Sequence, residues 1–232
     1  MRIVIRDTKL PLCDQDIRWY LSGEQLWITK YANYTEIEKS IGQSRGSFNW
    51  LYENNDTLLF SDKTGEFHTA IISLSGKIKS IKSPEKRLIW SNHRPKSMRL
   101  KKTGYSEFEF VFPVTYEQEN DFLSSYPDDL ADKDFSVVSI SKDYGFIVLD
   151  NTIAGWYLHH ASMHVLPSKE IYDRQKTGSA NLLSEYINLL NSWETGDTNA
   201  MDLTVFLNKV QGKEDNISVA VRECLANILR YT

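Results

Sequence analysis

The sequence predicts an α+β protein, with an antiparallel, strongly curved β-sheet over about residues 1–160 followed by three helices. β-branched and aromatic runs between turn residues lie upstream of Pro167, and apolar residues at helical spacing lie downstream of it. Strands and helices do not alternate, and this order favours an α+β protein over a parallel α/β sheet. We expect one domain over residues 1–232. A division into a β-rich part (1–166) and a helical part (167–232) is the alternative.

The N-terminal third contains short strand-like runs between polar turns. A capping-box pattern at Thr35 and Glu38 predicts one short helix, which ends at Gly42. The predicted strands of this part are 2–6, 25–31, 48–52, 57–60 and 66–74.

The next segment is interrupted by prolines and lysines. Residues 77–102 contain short apolar pieces, which predict two short strands or edge pieces with a loop. Tyr105–Phe112 reads as a clear strand, because three phenylalanines fall on one face and Glu107 and Glu109 on the other. A second capping box, Thr115 to Gln118, predicts a helix that buries Phe122 and Leu123 and ends before Pro127.

The most apolar run covers residues 135–166 and predicts strands around turns at 142–145 and 150–152. Beyond it the apolar spacing changes to that of helices. The residues that define the three predicted helices are Leu182, Leu183, Tyr186, Ile187, Leu190 and Trp193 for the first; Met201, Phe206 and Val210, capped from Asp197 or Thr198, for the second; and Ile217, Val221, Cys224 and Ile228 for the third.

Composition places the chain among ordinary globular proteins. It has 232 residues, of which 41% are hydrophobic and 25% charged. Cys13 and Cys224 are too few for a disulfide framework, so we expect reduced thiols. The start of the chain lacks the roughly 7–15 apolar residues of a secretory signal, and no run reaches the ~18–20 of a membrane helix. We therefore expect a cytoplasmic protein that does not contact a membrane, and we expect no cofactor.

Charge is strongly segregated along the chain. Residues 1–76 carry a net charge of −2, residues 77–102 carry +9 and residues 103–232 carry −11. This distribution is the least random feature of the sequence, and it supplies two candidate binding surfaces.

The acidic candidate is a loop that contains Asp128, Asp129, Asp132 and Asp134. It has no glycine and no closing glutamate, so it does not fit a calcium loop. A dense acidic surface can cover a basic partner with fast, steered association. A solvated acidic face that serves solubility is the alternative interpretation.

The basic candidate combines cations with a stacking group, as single-strand nucleic-acid binders do. The chain as a whole has a pI of about 5.8, well below that of a typical nucleic-acid domain. Lysines that protect a sheet edge, a mobile hairpin, or a loop docked on the acidic segment are the alternatives. The candidate contacts are Lys86, Arg87, Trp90, Arg94, Lys96, Arg99, Lys101 and Lys102.

Three histidines, His159, His160 and His164, are weak candidates for metal ligands. The spacing of the last two matches H-E-x-x-H, but Ala161 stands where that motif needs its glutamate. The alternative is the end of a strand with amphipathic histidines. We therefore predict no metal.

Gly42-Gln-Ser44-Arg-Gly46 matches G-x-S-x-G, the nucleophile turn of α/β-hydrolases. It follows a short helix and precedes a strand, which is the wrong context for that turn. Asp150 with His159 or His160 would complete the expected order of a triad. A loop that stops the helix is the simpler interpretation.

These observations favour a non-catalytic, cytoplasmic protein-binding module. More narrowly, we expect a bacterial immunity or inhibitor protein that neutralises a toxin, and in particular a basic toxin domain, by charge and shape complementarity. The first alternative is a nucleic-acid-associated protein that uses residues 77–102. The second is a small hydrolase or metal-dependent enzyme that uses the histidines of 159–164.

Overall fold

A computed structural model describes residues 3–7, 16–47, 56–74, 78–82, 96–100, 108–168 and 176–232. Within these ranges the chain forms two six-stranded sheets, a two-stranded ladder and four α-helices. The predicted α+β class and its three C-terminal helices are confirmed. The strand-rich part, however, forms two sheets that share one hydrophobic core, and not a single curved sheet.

The strands are numbered in chain order: β1 (Ile3–Asp7), β2 (Asp16–Tyr20), β3 (Gln25–Thr29), β4 (Ser44–Ser47), β5 (Thr57–Ser61), β6 (Phe67–Ser73), β7 (Lys79–Ile81), β8 (Lys96–Leu100), β9 (Val114–Glu117), β10 (Phe122–Ser125), β11 (Ser136–Ser139), β12 (Tyr144–Leu149), β13 (Thr152–His159) and β14 (Val165–Leu166). The helices are α1 (Tyr34–Ile41), α2 (Ala180–Glu194), α3 (Ala200–Val210) and α4 (Asn216–Arg230), and two short 3-10 helices cover Leu130–Asp132 and Ala161–His164.

The first sheet has the order β14-β2-β3-β6-β5-β4 and the second β11-β12-β13-β10-β9-β7, while β1 pairs with β8. Neighbouring strands are antiparallel except for β14 beside β2 and β7 beside β9, which are parallel. The chain leaves the second sheet after β13 and adds β14 to the edge of the first. This crossing ties the two sheets together at the end of the most apolar run of the sequence.

Large aromatic side chains from both sheets meet in the shared core. The rings of Trp19 on β2 and Tyr116 on β9 have centroids 6.4 Å apart. Phe67 on β6 meets Phe146 on β12 edge to face at 5.3 Å. Pairs of this geometry stabilise by about 0.5–1.5 kcal/mol beyond the burial of their surface. The inner faces of the two sheets are therefore joined by aromatic packing.

The outer face of the first sheet is covered by α1. Ile37 is fully buried there against Trp27, Leu59 and Ile71. Because β3, β5 and β6 are buried on both faces, they appear in the sequence as nearly continuous apolar runs instead of alternating ones.

The helix α1 begins one residue before the predicted capping box. Asn33 is its N-cap, and the Asn33 side chain accepts a hydrogen bond from the Glu36 amide at 3.1 Å. The Glu36 carboxylate in turn accepts from the Ala32 amide at 2.8 Å. Asparagine is a better N-cap than threonine, which favours the start at Asn33 over the predicted start at Thr35.

Two of the C-terminal helices pack against edge strands of the two sheets. The helix α2 packs against β7, and α4 packs against β14; these are the edge strands of the second and first sheets. Covering an exposed edge prevents it from pairing with another chain. Of the helices in the described ranges, none has the length and hydropathy needed to cross a bilayer.

The predicted helix after Thr115 is wrong, because this segment forms the β9–β10 hairpin. Leu123 pairs in register with Tyr116, and Asp121 adopts a left-handed turn conformation with φ 48°. Residues 122–125 are all buried, since one face meets the shared core and the other the outer cluster of the second sheet. Pairing with β9 and β13 overrides the local capping pattern.

The predicted strand Tyr105–Phe112 is not formed by its described residues, 108–112. Phe108 and Phe110 still pack on the core, and Phe110 stacks on Phe146 at 6.3 Å. Their alternation thus indicated the buried face correctly but not the strand ladder. The predicted strand 48–52 lies outside the described residues.

Met201 was predicted in the core of the second C-terminal helix but is 75% exposed. The cap is Asn199, in a capping box with Asp202, and not Asp197 or Thr198. Leu203 is the buried residue of this turn, and Met201 stands two positions, or about 200°, around the helix from it.

Gly155 provides a test of the packing between β13 and β10. A Cβ at this residue would overlap the Ser125 carbonyl oxygen and lie 2.8 Å from Tyr126 Cβ. We expect Gly155→Ala to lower the free energy of unfolding by about 1–3 kcal/mol, because the strands cannot separate without breaking their ladder. Urea unfolding followed by tryptophan fluorescence measures this change.

Gly42→Ala is the matched control. Gly42 has φ −62°, and a Cβ there would meet no atom within 4 Å. Its free energy of unfolding should stay within about 1 kcal/mol of the wild type or rise, since alanine restricts the unfolded chain. Equal losses in both variants would contradict the proposed overlap.

Candidate functional site

The acidic loop predicted from the sequence covers the outer face of the second sheet. Leu130, at its centre, is fully buried in a cluster with Phe122, Val137, Ile147 and Tyr157. Three backbone hydrogen bonds of 3.1 Å between residues 127 and 133 close its 3-10 turn. The loop is therefore held in one shape by packing beneath it.

All four predicted aspartates of this loop are exposed: Asp128, Asp129, Asp132 and Asp134. Lys133 is the only basic residue between Lys102 and Lys142, and it pairs with Asp129 at 2.7 Å. This ion pair is exposed, so it contributes little to stability. The surface retains a strong negative charge above an apolar anchor.

The basic stretch is described only in part. Arg99, on β8, forms an ion pair with Glu66 at 2.5 Å, so this predicted contact is engaged within the chain. Lys96 begins β8. The other predicted contacts lie outside the described residues: Lys86, Arg87, Trp90, Arg94, Lys101 and Lys102.

The basic stretch of residues 77–102 meets the start of the acidic segment of residues 117–134 through backbone hydrogen bonds. The strand β7 pairs with β9, and the Lys82 carbonyl accepts from the Glu119 amide at 3.2 Å. The side chains of Lys79 and Lys82 are exposed and, within the described ranges, form no ion pair with the acidic loop. The two charged segments are thus neighbours without neutralising each other there.

Two of the three predicted histidines contact one carboxylate. His160 Nδ1 lies 3.0 Å from Asp143 Oδ1, and His164 Nε2 lies 3.3 Å from Asp143 Oδ2. His159 instead packs against the ring of Phe122 at 4.9 Å. Among the described residues, no group of three or more His, Cys, Asp or Glu side chains is arranged to hold a metal ion.

The electrostatics of this cluster favour an ionised Asp143. Burial would raise the pKa of Asp143, but hydrogen bonds and charges from His164 and His160 outweigh it and lower this pKa to about 2. Burial, and then the charge of His160, lower the pKa of His159. The cluster is a carboxylate clamped by two imidazoles, which fastens the end of β13 to the β11–β12 turn.

The sequence did not identify the histidine that contacts Ser44. His68 Nε2 lies 3.0 Å from Ser44 Oγ. A bulge in the β5–β6 pairing, between Leu59 and Phe60, places His68 beside Ser44 on the outer face of the first sheet. The histidines and aspartate predicted to complete a triad lie in the second sheet or its turns, so the structure does not bring them to Ser44.

The Ser44–His68 pair is arranged against nucleophilic catalysis. The Ser44 hydroxyl donates to the Ser40 carbonyl at 2.7 Å, so its single proton is not directed to the imidazole. Burial, and then the charge of Lys30, lower the pKa of His68 to about 4, which makes it a weak base. Its Nδ1 meets Thr69 Oγ1 at 3.0 Å, where a triad has a carboxylate.

Comparisons with protein-family models, curated proteins and solved structures give no match.

One perturbed carboxylate was not singled out from the sequence. Asp56 is 2% exposed, and it accepts hydrogen bonds from the Ser73 amide at 2.8 Å and the Phe110 amide at 2.5 Å. Burial outweighs these two bonds and raises the pKa of Asp56 to about 7. These two hydrogen bonds connect residues 108–112 to the end of β6, so Asp56 has a structural role.

The raised pKa of Asp56 predicts that stability falls with rising pH. Between about pH 4, where the unfolded carboxyl titrates, and about 7, the folded state holds a proton that the unfolded state has released. The free energy of unfolding should therefore fall by up to about 1.4 kcal/mol per pH unit in this window. Urea unfolding of wild type and Asp56→Asn across these pH values should show the slope reduced in the variant.

Glu214→Gln is the control. The ion pair with Lys176 lowers the pKa of Glu214, so this carboxylate is ionised in both the folded and the unfolded chain above about pH 5.5. The slope of Glu214→Gln between about pH 5.5 and 7 should equal that of the wild type. An unchanged slope in Asp56→Asn would contradict the assignment to Asp56.

Proposed function

We propose that this chain is a non-catalytic protein-binding module that uses the acidic loop to cover a basic surface on its partner. The observation that carries the proposal is the pairing of exposed carboxylates with a buried anchor. Asp128, Asp132 and Asp134 face solvent, while Leu130 in the same loop is fully buried.

Anchoring matters because binding costs free energy for each group that must be ordered. A loop already held by Leu130 loses less entropy on association than a mobile loop of the same charge. Its uncompensated negative charge would steer a basic partner and accelerate encounter at low salt.

In its narrower form, the proposal is that the partner is a basic toxin domain and that the chain is a bacterial immunity or inhibitor protein. The segregation of charge, with −11 over residues 103–232, supports this form. The Ser44–His68 arrangement directs the serine proton away from the imidazole and argues only against a serine nucleophile at this pair.

The test is a pull-down from lysate of the source organism with two matched baits. One is Asp132→Asn/Asp134→Asn in the acidic loop; the other is Glu38→Gln/Glu185→Gln, which removes the same charge from exposed positions on α1 and α2. We expect one protein to be retained by wild type and by the α1/α2 variant. The loop variant should retain about tenfold less of it, as expected for lost contacts worth about 1.4 kcal/mol.

Salt and nuclease separate the remaining outcomes. Retention that survives nuclease and weakens with salt supports the proposal. Loss of the retained material on nuclease treatment would instead indicate that residues 77–102 bind nucleic acid. The logarithm of the binding constant should then fall linearly with the logarithm of the salt concentration, with a slope of about −0.7 to −0.9 per phosphate contacted. Equal retention by both variants would remove the acidic loop as the contact surface.

A further inference from the structure

A cavity lies between the β2–β3 turn and the helices α2 and α4. Its volume is about 370 Å³. Apolar side chains from three parts of the fold form its wall: Trp19 from β2, Leu74 from the end of β6, and Ile187, Leu190 and Trp193 from α2. The wall thus exists only because the helices close against the edge of the first sheet.

Two carboxylates lie at the rim of this cavity. Glu24 stands in the β2–β3 turn and Glu194 at the end of α2, and both are exposed. Glu24 adopts a left-handed backbone conformation with φ 48°, and this conformation costs free energy for a residue other than glycine. Its carbonyl accepts from the Leu74 amide at 2.6 Å, which holds the turn beside the cavity.

The remaining titratable groups of the cavity are uncharged at neutral pH. Burial, followed by the effects of Cys224 and Glu24, raises the pKa of Tyr186 far above its ordinary range. Burial also raises the pKa of Cys224 to about 11, although its hydrogen bond with Tyr186 lowers it. Among the described lining residues there is no lysine or arginine, and Glu24 and Glu194 are the two that carry a charge.

The glutamates also influence each other. Burial, and then the charge of Glu194, raise the pKa of Glu24. A positive charge beside both carboxylates would relieve this repulsion. The described lining therefore combines an apolar interior, three aromatic side chains and two carboxylates at the rim.

We propose that this cavity binds a small organic cation, an ammonium group carried on a compact apolar body. The body packs against Trp19, Ile187 and Leu190, and the ammonium lies at the rim beside Glu24 and Glu194. The cavity is separate from the acidic loop, so this proposal does not depend on the proposed protein partner.

Size and chemistry both favour this ligand class. Small-molecule pockets have volumes of about 300–1,000 Å³, and this cavity is near the lower end, which suits a compact molecule. Tryptophan faces attract cations that approach within about 6 Å of the ring. An anionic ligand would meet two like charges, and a neutral ligand would gain no attraction from the rim carboxylates.

Isothermal titration calorimetry with three matched probes tests the proposal on the full chain: 2-phenylethylammonium, the neutral 2-phenylethanol and the anionic 3-phenylpropanoate. The ammonium should bind at least about tenfold more tightly than the alcohol, as expected for a charge-assisted contact, and the carboxylate should not bind. Glu194→Gln should weaken binding of the ammonium about tenfold and leave the alcohol unchanged.

Glu185→Gln is the control, because it removes a carboxylate from the same helix but pairs with Lys209 and does not line the cavity. It should leave the affinities of all three probes unchanged. Leu190→Trp should fill the cavity and abolish binding of the ammonium. If Leu190→Trp unfolds the protein, Glu194→Gln still tests the proposal, because Glu194 is exposed and its substitution should leave the fold intact.

Three results would overturn the proposal. They are equal affinity for ammonium and alcohol, an equal loss in Glu185→Gln and Glu194→Gln, and no heat from the ammonium at millimolar concentration.

Discussion

The architecture of this protein depends on burying both faces of two sheets at once. The inner faces bury each other through aromatic pairs such as Trp19–Tyr116, but each sheet also has an apolar outer face. Free energy from burial increases with apolar area removed from water, so both outer faces need a cover. Three different covers are used: the helix α1 on the first sheet, a loop on the second, and the C-terminal helices along the edges.

The same constraint explains why the candidate surfaces are well defined. The acidic loop is held in place because Leu130 fills the outer face of the second sheet, so its aspartates are displayed as a consequence of packing. The cavity arises because α2 and α4 close against the β2–β3 turn without filling the space between them. In both cases, charged side chains stand above an apolar support. A surface that is preorganised in this way loses little entropy when it binds.

Polar side chains inside the fold mainly join its parts. Asp121 accepts from the Tyr116 hydroxyl, the Ser162 amide and the Ser162 hydroxyl, and so connects the β9–β10 hairpin to the crossing segment. Asp143 clamps two histidines at the end of β13. The large pKa shifts of Asp56 and Asp143 follow from burial and from their hydrogen-bonding partners, so a shifted pKa alone does not indicate an active site here.

The sequence by itself determined the elements that depend on local chemistry. The helices α2 and α4 were predicted from 3.6-residue periodicity, the strands of 136–159 from β-branched runs between turns, and the exposure of the four aspartates of residues 128–134 from their charge. The tertiary structure alone decided that residues 114–125 form a hairpin, because pairing with β13 overrides the local capping pattern. It also decided the contact of His68 with Ser44 and the approach of Glu24 to α2. These features join residues that are far apart in the chain, and their free energy comes from contacts that no local pattern records.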